Sequence, residues 1–200
     1  SLSSVRAHQQ RGAVLWPVAI VLAPGILVGS FLGSQIAVAL PSALLGLVFA
    51  AFVTFSATQM ILNRKPKPTR TLPGRAGMFG VGNVIGLLSS LVGAGGAFVS
   101  VPFMTWCNVP IHKEVGTFSA LGFPIALAGT VGYLVAGWNL PAMPPGAIGY
   151  LYWPGLVVLS IASMAMAPLG ARVAHSMDIA PLKRAFAVVL YCLAAYFVLR

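Results

Sequence analysis

The residues best placed to do chemistry sit in LLSSLVGAGGAFVSVP, Leu87 to Pro102, where Gly93, Gly95 and Gly96 follow a serine pair inside a long apolar run. Clustered glycines break a helix instead of lining one of its faces, because each tolerates positive φ and lets another backbone approach closely. A second helix starting at Gly96 or Ala97 turns its free N–H groups and the positive end of its dipole toward the break. Such an end favours an anion, and it does so without a lysine or arginine in hydrocarbon. Ser89, Ser90 and Asn83 add neutral hydrogen-bond donors from the incoming arm. Thr117 and Ser119 add two hydroxyls if the next helix packs against the break; otherwise they cap a helix or bond back to the preceding turn. Pro102 suits a short or kinked second arm.

Catalysis has little to stand on. The chain has two acidic residues, Glu114 and Asp178, far apart in sequence, so there is no carboxylate pair. It carries no HExxH, no GxSxG and no His/Cys cluster with metal-ligand spacing, and GAGG is not followed by the lysine of a phosphate-binding loop. The expectation is a protein that is not an enzyme, with no catalytic residue, metal or cofactor. Cys107 and Cys192 lie in or beside apolar segments and read as packing residues. His112, next to Lys113, reads as interfacial before it reads as a proton relay, and His8 with Arg6 and Arg11 reads as interfacial too.

The elements that must position these residues follow from composition. Of 200 residues 58% are apolar and 7% charged, against about 25% charged for a soluble domain, so the chain cannot coat a globular surface with charge. Its net charge of +10 reads as basic loops facing an anionic leaflet, not as a nucleic-acid groove. Five apolar regions can be drawn, at 14–40, 43–62, 77–110, 115–136 and 150–200, the last long enough for two spans divided near His175 to Lys183. Trp16, Trp138, Tyr150 and Trp153 fall near span ends, where interfacial rings gather.

Sliding the chain on itself by 137 places Trp16-Pro17 on Trp153-Pro154, Gly12 on Gly149, Gly33 on Gly170 and Phe49-Ala50 on Phe186-Ala187. The link between the first copy's spans is uncharged, whereas the matching link of the second carries Arg172, Lys183 and Arg184. Because basic residues favour the cytoplasmic side, the copies are expected to point opposite ways. Region 77–110 starts beside Arg75 and ends beside Lys113, and two full spans need about 40 residues plus a turn. A re-entrant hairpin of two short half-helices, reversing near mid-bilayer at VGAGG, fits better. Glycines four apart (Gly25, Gly29, Gly33; Gly82, Gly86) carry the plainer reading of close helix packing. The expected fold is an all-α polytopic bundle with inverted-topology repeats and a glycine-broken re-entrant hairpin. Its one membrane domain divides into 1–63 (a partial first repeat), a basic cytoplasmic link at 64–75, and 76–200 (a complete second repeat).

Several of these stretches occur together elsewhere. LVGAGGAF, then VPFM, then EVGTFSA resemble, in order, the glycine cluster, VPxL-like stretch and AVGTS-like segment of the sulfite exporter TauE/SafE family, and SLSSVRAHQQRGAVLW resembles its first-half passage. The resemblance covers essentially all 200 residues. Two departures stand out: Ala97 replaces a third glycine, and Phe118 separates Thr117 from Ser119. The resemblance implies a multi-pass inner-membrane transporter that moves sulfite, sulfonates or related organic acids. It also implies a first glycine hairpin ahead of Ser1, holding the other half of the site. The site residues expected within this chain are Gly93, Gly95, Gly96, Ala97, Ser89, Ser90, Asn83, Thr117 and Ser119. The partners are a small anion and the lipid bilayer, not nucleic acid; proton or sodium coupling and oligomeric state stay open. An anion channel of the same architecture and a non-transporting membrane subunit are the competing readings.

Overall fold

The computed structural model describes residue 9 and residues 12–62, 71–93, 97–140, 144–176 and 179–199. Seven helices account for nearly all of them: α1 (Trp16–Ala39), α2 (Ser42–Leu62), α3 (Arg75–Val92), α4 (Ala97–Trp106), α5 (Ile111–Ala136), α6 (Trp153–Ser176) and α7 (Ile179–Leu199). Two short strands, β1 (Ala147–Ile148) and β2 (Leu151–Tyr152), form an antiparallel pair in the loop before α6. Among the described residues four helical stretches are long and apolar enough to cross a membrane: α1, α2, α3 and residues Gly116–Ala136 of α5.

Local sequence sets the helix ends. Proline in the first turn of α1 costs no hydrogen bond, since that N–H has no helical partner anyway. Leu40 turns extended, as the residue before Pro41 must, and closes the same helix. Gly93 caps α3 in the left-handed region at φ 67°, where a side chain would be strained. The fourth apolar region begins earlier than its hydropathy indicates, because HKE enters the first turn of α5, where Glu114 complements the helix dipole.

The chain divides into two compact units that interleave along the sequence. One holds residues up to Pro41 together with Lys65–Tyr133; the other holds Ser42–Arg64 with Leu134–Arg200. In the first unit α1 packs on α3 through small residues. A Cβ on Gly82 would stand 3.2 Å from the Ile26 nitrogen and one on Gly33 would stand 2.7 Å from the Leu87 carbonyl, while Gly25 and Gly29 lie against the backbone of Phe79 and Asn83. Ser30 Oγ donates to the Gly86 carbonyl across this contact, at 3.3 Å. Such close approach gives van der Waals contact, the main attraction available between helices in lipid, so the packing reading of these glycines holds. Ala19, Leu22, Ile26, Met78, Ile85, Met104, Leu121 and Ile125 form the buried core of the unit.

Not every glycine is needed. Around Gly80 a Cβ meets nothing within 4 Å. Gly80→Ala is expected to stabilise the protein by about 0.5–1 kcal/mol through lower unfolded-chain entropy. Thermal unfolding of the purified protein in detergent should show a rise of about 1–4 °C.

Register fixes helix direction within this unit. Positions in α3 rise with those in α1, from Gly82 beside Leu22 to Leu87 beside Gly33. Positions in α5 do the same: the Leu15 N–H donates to Thr117 Oγ1 at 2.9 Å, and Gln35 Nε2 donates to the Gly132 carbonyl at 2.8 Å. Thus α1, α3 and α5 run parallel, and the chain must come back between α3 and α5. Ser90, in the last turn of α3, lies beside Gly129, whereas Thr105, in the last turn of α4, hydrogen-bonds Glu114. Those α5 positions are about 22 Å apart, and α4 covers about 15 Å of the return. The chain therefore reverses between α3 and α4, and Arg75 and Lys113 belong to helix starts at one end of the unit.

The hairpin departs from the expected pair of short half-helices, because its first arm is long and apolar enough to cross a membrane. Its arms are unequal, 18 residues in α3 against 10 in α4. Gly77, Gly80, Gly82 and Gly86 are dispersed singly along α3 and leave it intact, so the helix continues until the clustered glycines stop it.

In the second unit α2 packs on α7. Ala50, Val53 and Ala194 share a buried cluster with Phe49 and Leu190, the Phe49 and Phe197 rings are 4.9 Å apart, and the Thr58 and Tyr191 hydroxyls are 2.7 Å apart. Positions rising along α2 meet positions falling along α7, so this pair is antiparallel.

Candidate functional site

Three buried serines lie close in sequence to the break between α3 and α4. Ser89 and Ser90 occupy the last turn of α3, and Ser100 the first turn of α4; they are 5%, 6% and 0% exposed. Among the described residues none of their three Oγ atoms has a hydrogen-bond partner. Serine hydroxyls in a helix usually bond back to a carbonyl of the preceding turn, as Ser34 does to Phe31 and Ser56 to Phe52. Buried polar groups left unbonded are uncommon, and these three lie within about a turn of one helix break. Among the described residues a Cβ on Gly93 would meet nothing within 4 Å.

The first turn of α4 begins at Ala97 and leaves its N–H groups without helical partners. From Gly77 to Ile111 the chain contains no charged residue, so in this stretch the donors are neutral: backbone amides and hydroxyls. Tyr133 closes one side by donating its hydroxyl to the Ser90 carbonyl at 2.8 Å, which ties α5 to the last turn of α3.

Of the expected site residues, the structure brings Ser89, Ser90, Gly93 and the start of α4 at Ala97 to this break; Gly95 and Gly96 lie outside the described residues. Asn83 is elsewhere: its backbone is packed against Gly25 and Gly29, about 15 Å before Gly93 along α3. Thr117 is fully buried and accepts the otherwise free N–H of Leu15, so it caps the start of α1, about 18 Å along α5 from Gly129. Ser119 is half-buried on the same helix, ten residues before Gly129.

Ser100 is the residue that sequence reasoning missed. Its place three residues beyond Ala97, one turn into the second arm, was the available signal, masked by the β-branched run around it. At the far end of α4, Thr105 Oγ1 donates to Glu114 Oε2 at 3.1 Å, and Glu114 is 1% exposed. Nothing in the spacing of these two residues announces that bond.

The second unit has a groove of about 690 Å³ along α6, lined by Tyr152, Leu156, Leu159, Ser163 and Met164 among others. Leu159 and Met164 are 68% and 77% exposed, a surface suited to acyl chains and not to an anion. Among the described residues no group of His, Cys, Asp and Glu has a metal-binding arrangement.

Comparison with known proteins agrees with this membrane architecture. The chain is 29% identical over 195 residues to a protein of Haemophilus influenzae named Probable membrane transporter protein, covering 96% of this chain and 74% of that one. It is 27% identical over 194 residues to the Probable membrane transporter protein YdhB of Bacillus subtilis, covering 92% and 74%. No solved structure matches. The family described as Sulfite exporter TauE/SafE matches residues 1–197, nearly the full length over which the broken hairpin and its supporting helices are built, and this multi-pass membrane protein belongs to that family.

Proposed function

We propose that this membrane transporter carries a small anion (sulfite, a sulfonate or a related organic acid) and holds it at the break between α3 and α4. The observation that carries the reading is the set of three buried, unbonded hydroxyls, Ser89, Ser90 and Ser100, flanking the amide end of a ten-residue helix. An oxyanion accepts several hydrogen bonds at once, and a helix N-terminus with hydroxyls around it supplies them without the desolvation penalty of a buried cation. Gly93, Gly95 and Gly96 give the backbone room to present those amides. Export is the direction that the family description suggests.

The transport cycle follows from the repeat. α1 and α6 each contain 24 residues, α2 and α7 each 21, and both pairs begin and end 137 residues apart. Ala50 and Ala57 of α2 match Ala187 and Ala194 of α7 at the same offset, and all four are buried. Equivalent helices that pack antiparallel are what a two-fold axis lying in the membrane plane produces, which supports inverted copies. Alternating access then comes from rocking of one copy against the other around a fixed site.

Sulfite flux into proteoliposomes tests the site. A hydrogen bond to a charged group contributes about 1.5–3 kcal/mol, so Ser100→Ala should raise the half-saturating concentration about ten- to a hundredfold with the protein still folded. The triple variant at Ser89, Ser90 and Ser100 should fall below detection. Unchanged saturation in the triple variant removes these hydroxyls from the site, and flux that never saturates identifies a channel instead.

A further inference from the structure

Glu114 is one of two acidic residues in the chain, and it is 1% exposed. An ionisable side chain enclosed within a membrane protein is costly to keep there, and where it occurs it commonly marks an ion or proton path. Its surroundings join two helices. The start of α5 is held against the segment leading into α1: Gly116 lies on the Ala13 backbone, and Thr117 takes the Leu15 N–H. The Glu114 side chain accepts the Thr105 hydroxyl in the last turn of α4. The first turn of α4 flanks the anion break. One short, rigid helix, about 15 Å long, thus has the proposed anion site at one end and a buried carboxyl at the other.

We infer that Glu114 is the proton-binding group that couples anion movement to a proton gradient, with α4 as the connecting element; this rests on the anion reading of the break. The ionised carboxylate accepts the Thr105 hydroxyl and fixes the end of α4. Taking up a proton converts one carboxylate oxygen to a donor, changes that bond, and frees α4 to shift with its load. The other titratable side chains described at these two helix ends are the Cys107 thiol, which is buried, and the Lys113 ammonium, which is exposed.

The test uses proteoliposomes and methanesulfonate, which stays ionised across the working range, alongside sulfite. With a pH step of one unit, one-to-one coupling drives about tenfold accumulation, since one unit of pH is a tenfold proton gradient. The wild type should reach that ratio. Glu114→Gln should keep exchange of labelled for unlabelled anion at equal pH while its accumulation ratio falls to about one. Glu114→Asp, which keeps a titrating group, should still accumulate with a displaced pH profile, and Cys107→Ala and Lys113→Ala should leave the profile in place. Wild-type accumulation in Glu114→Gln, or wild-type exchange that ignores the pH step, overturns the inference while the anion site stands. Loss of exchange in both Glu114 variants makes the carboxyl a structural clamp and also overturns it. Absence of saturable flux of either anion in the wild type removes the anion reading itself.

Discussion

Replacing Gly95 or Gly96 by leucine should abolish anion flux and leave the unfolding temperature of the solubilised protein within a few degrees of the wild type. Both residues lie between the left-handed cap at Gly93 and the first residue of α4. On the proposed reading, they are where the anion meets backbone amides. A leucine there covers the donors with a branched apolar group. Loss of two charge-assisted hydrogen bonds, about 3 kcal/mol together at the low end, is about a hundredfold in affinity. The hairpin should survive, because its arms are held by contacts elsewhere: α3 by α1, and α4 by Thr105 and the core residue Met104. Flux assays paired with size-exclusion and melting profiles separate the two outcomes. Wild-type flux in both leucine variants excludes the break as the binding place.

Gly29→Leu should do the reverse, destroying stability first and flux only as a consequence. A Cβ at Gly29 would stand 2.7 Å from the Asn83 carbonyl carbon and 2.8 Å from its Cα, both backbone atoms that cannot swing aside. The α1–α3 pair must then separate along its length. Overpacking of this kind costs about 1–3 kcal/mol where neighbours can yield, and more where they cannot. An unfolding temperature lower by about 10 °C or more, with poor recovery as a single species, is expected. A melting profile like the wild type's would mean that the two helices are not held at the separation described.

The two glycine variants also show what was legible in the sequence. Composition and apolar run length were enough for a polytopic helical membrane protein, because lipid leaves few structures open to a backbone. The glycine cluster foretold a break, and the four-residue spacing of Gly25, Gly29 and Gly33 foretold packing, because both are local properties of the chain. What the sequence hid was tertiary. Thr117 sits in a family-like stretch beside the second arm, yet parallel α1 and α5 bring it to the Leu15 N–H, where it caps a helix. Asn83 sits on the incoming arm, but the arm is span-length, which leaves Asn83 at a helix crossing. Ser100 became a candidate only when its burial and its unbonded hydroxyl were seen together. The Thr105–Glu114 bond depends on α4 turning back along α5, which no periodicity encodes. The β1–β2 pair lies in a proline- and glycine-rich loop that gives no alternating pattern to read.

The central claim, that an anion sits on the amide end of α4, is tested most directly by nuclear magnetic resonance of the protein in nanodiscs, labelled at backbone nitrogen. Titration with sulfite should give saturable shifts of the Gly95, Gly96 and Ala97 amides, at the concentrations that saturate flux. Amides at those three positions that stay put while the same sample transports sulfite would contradict the account.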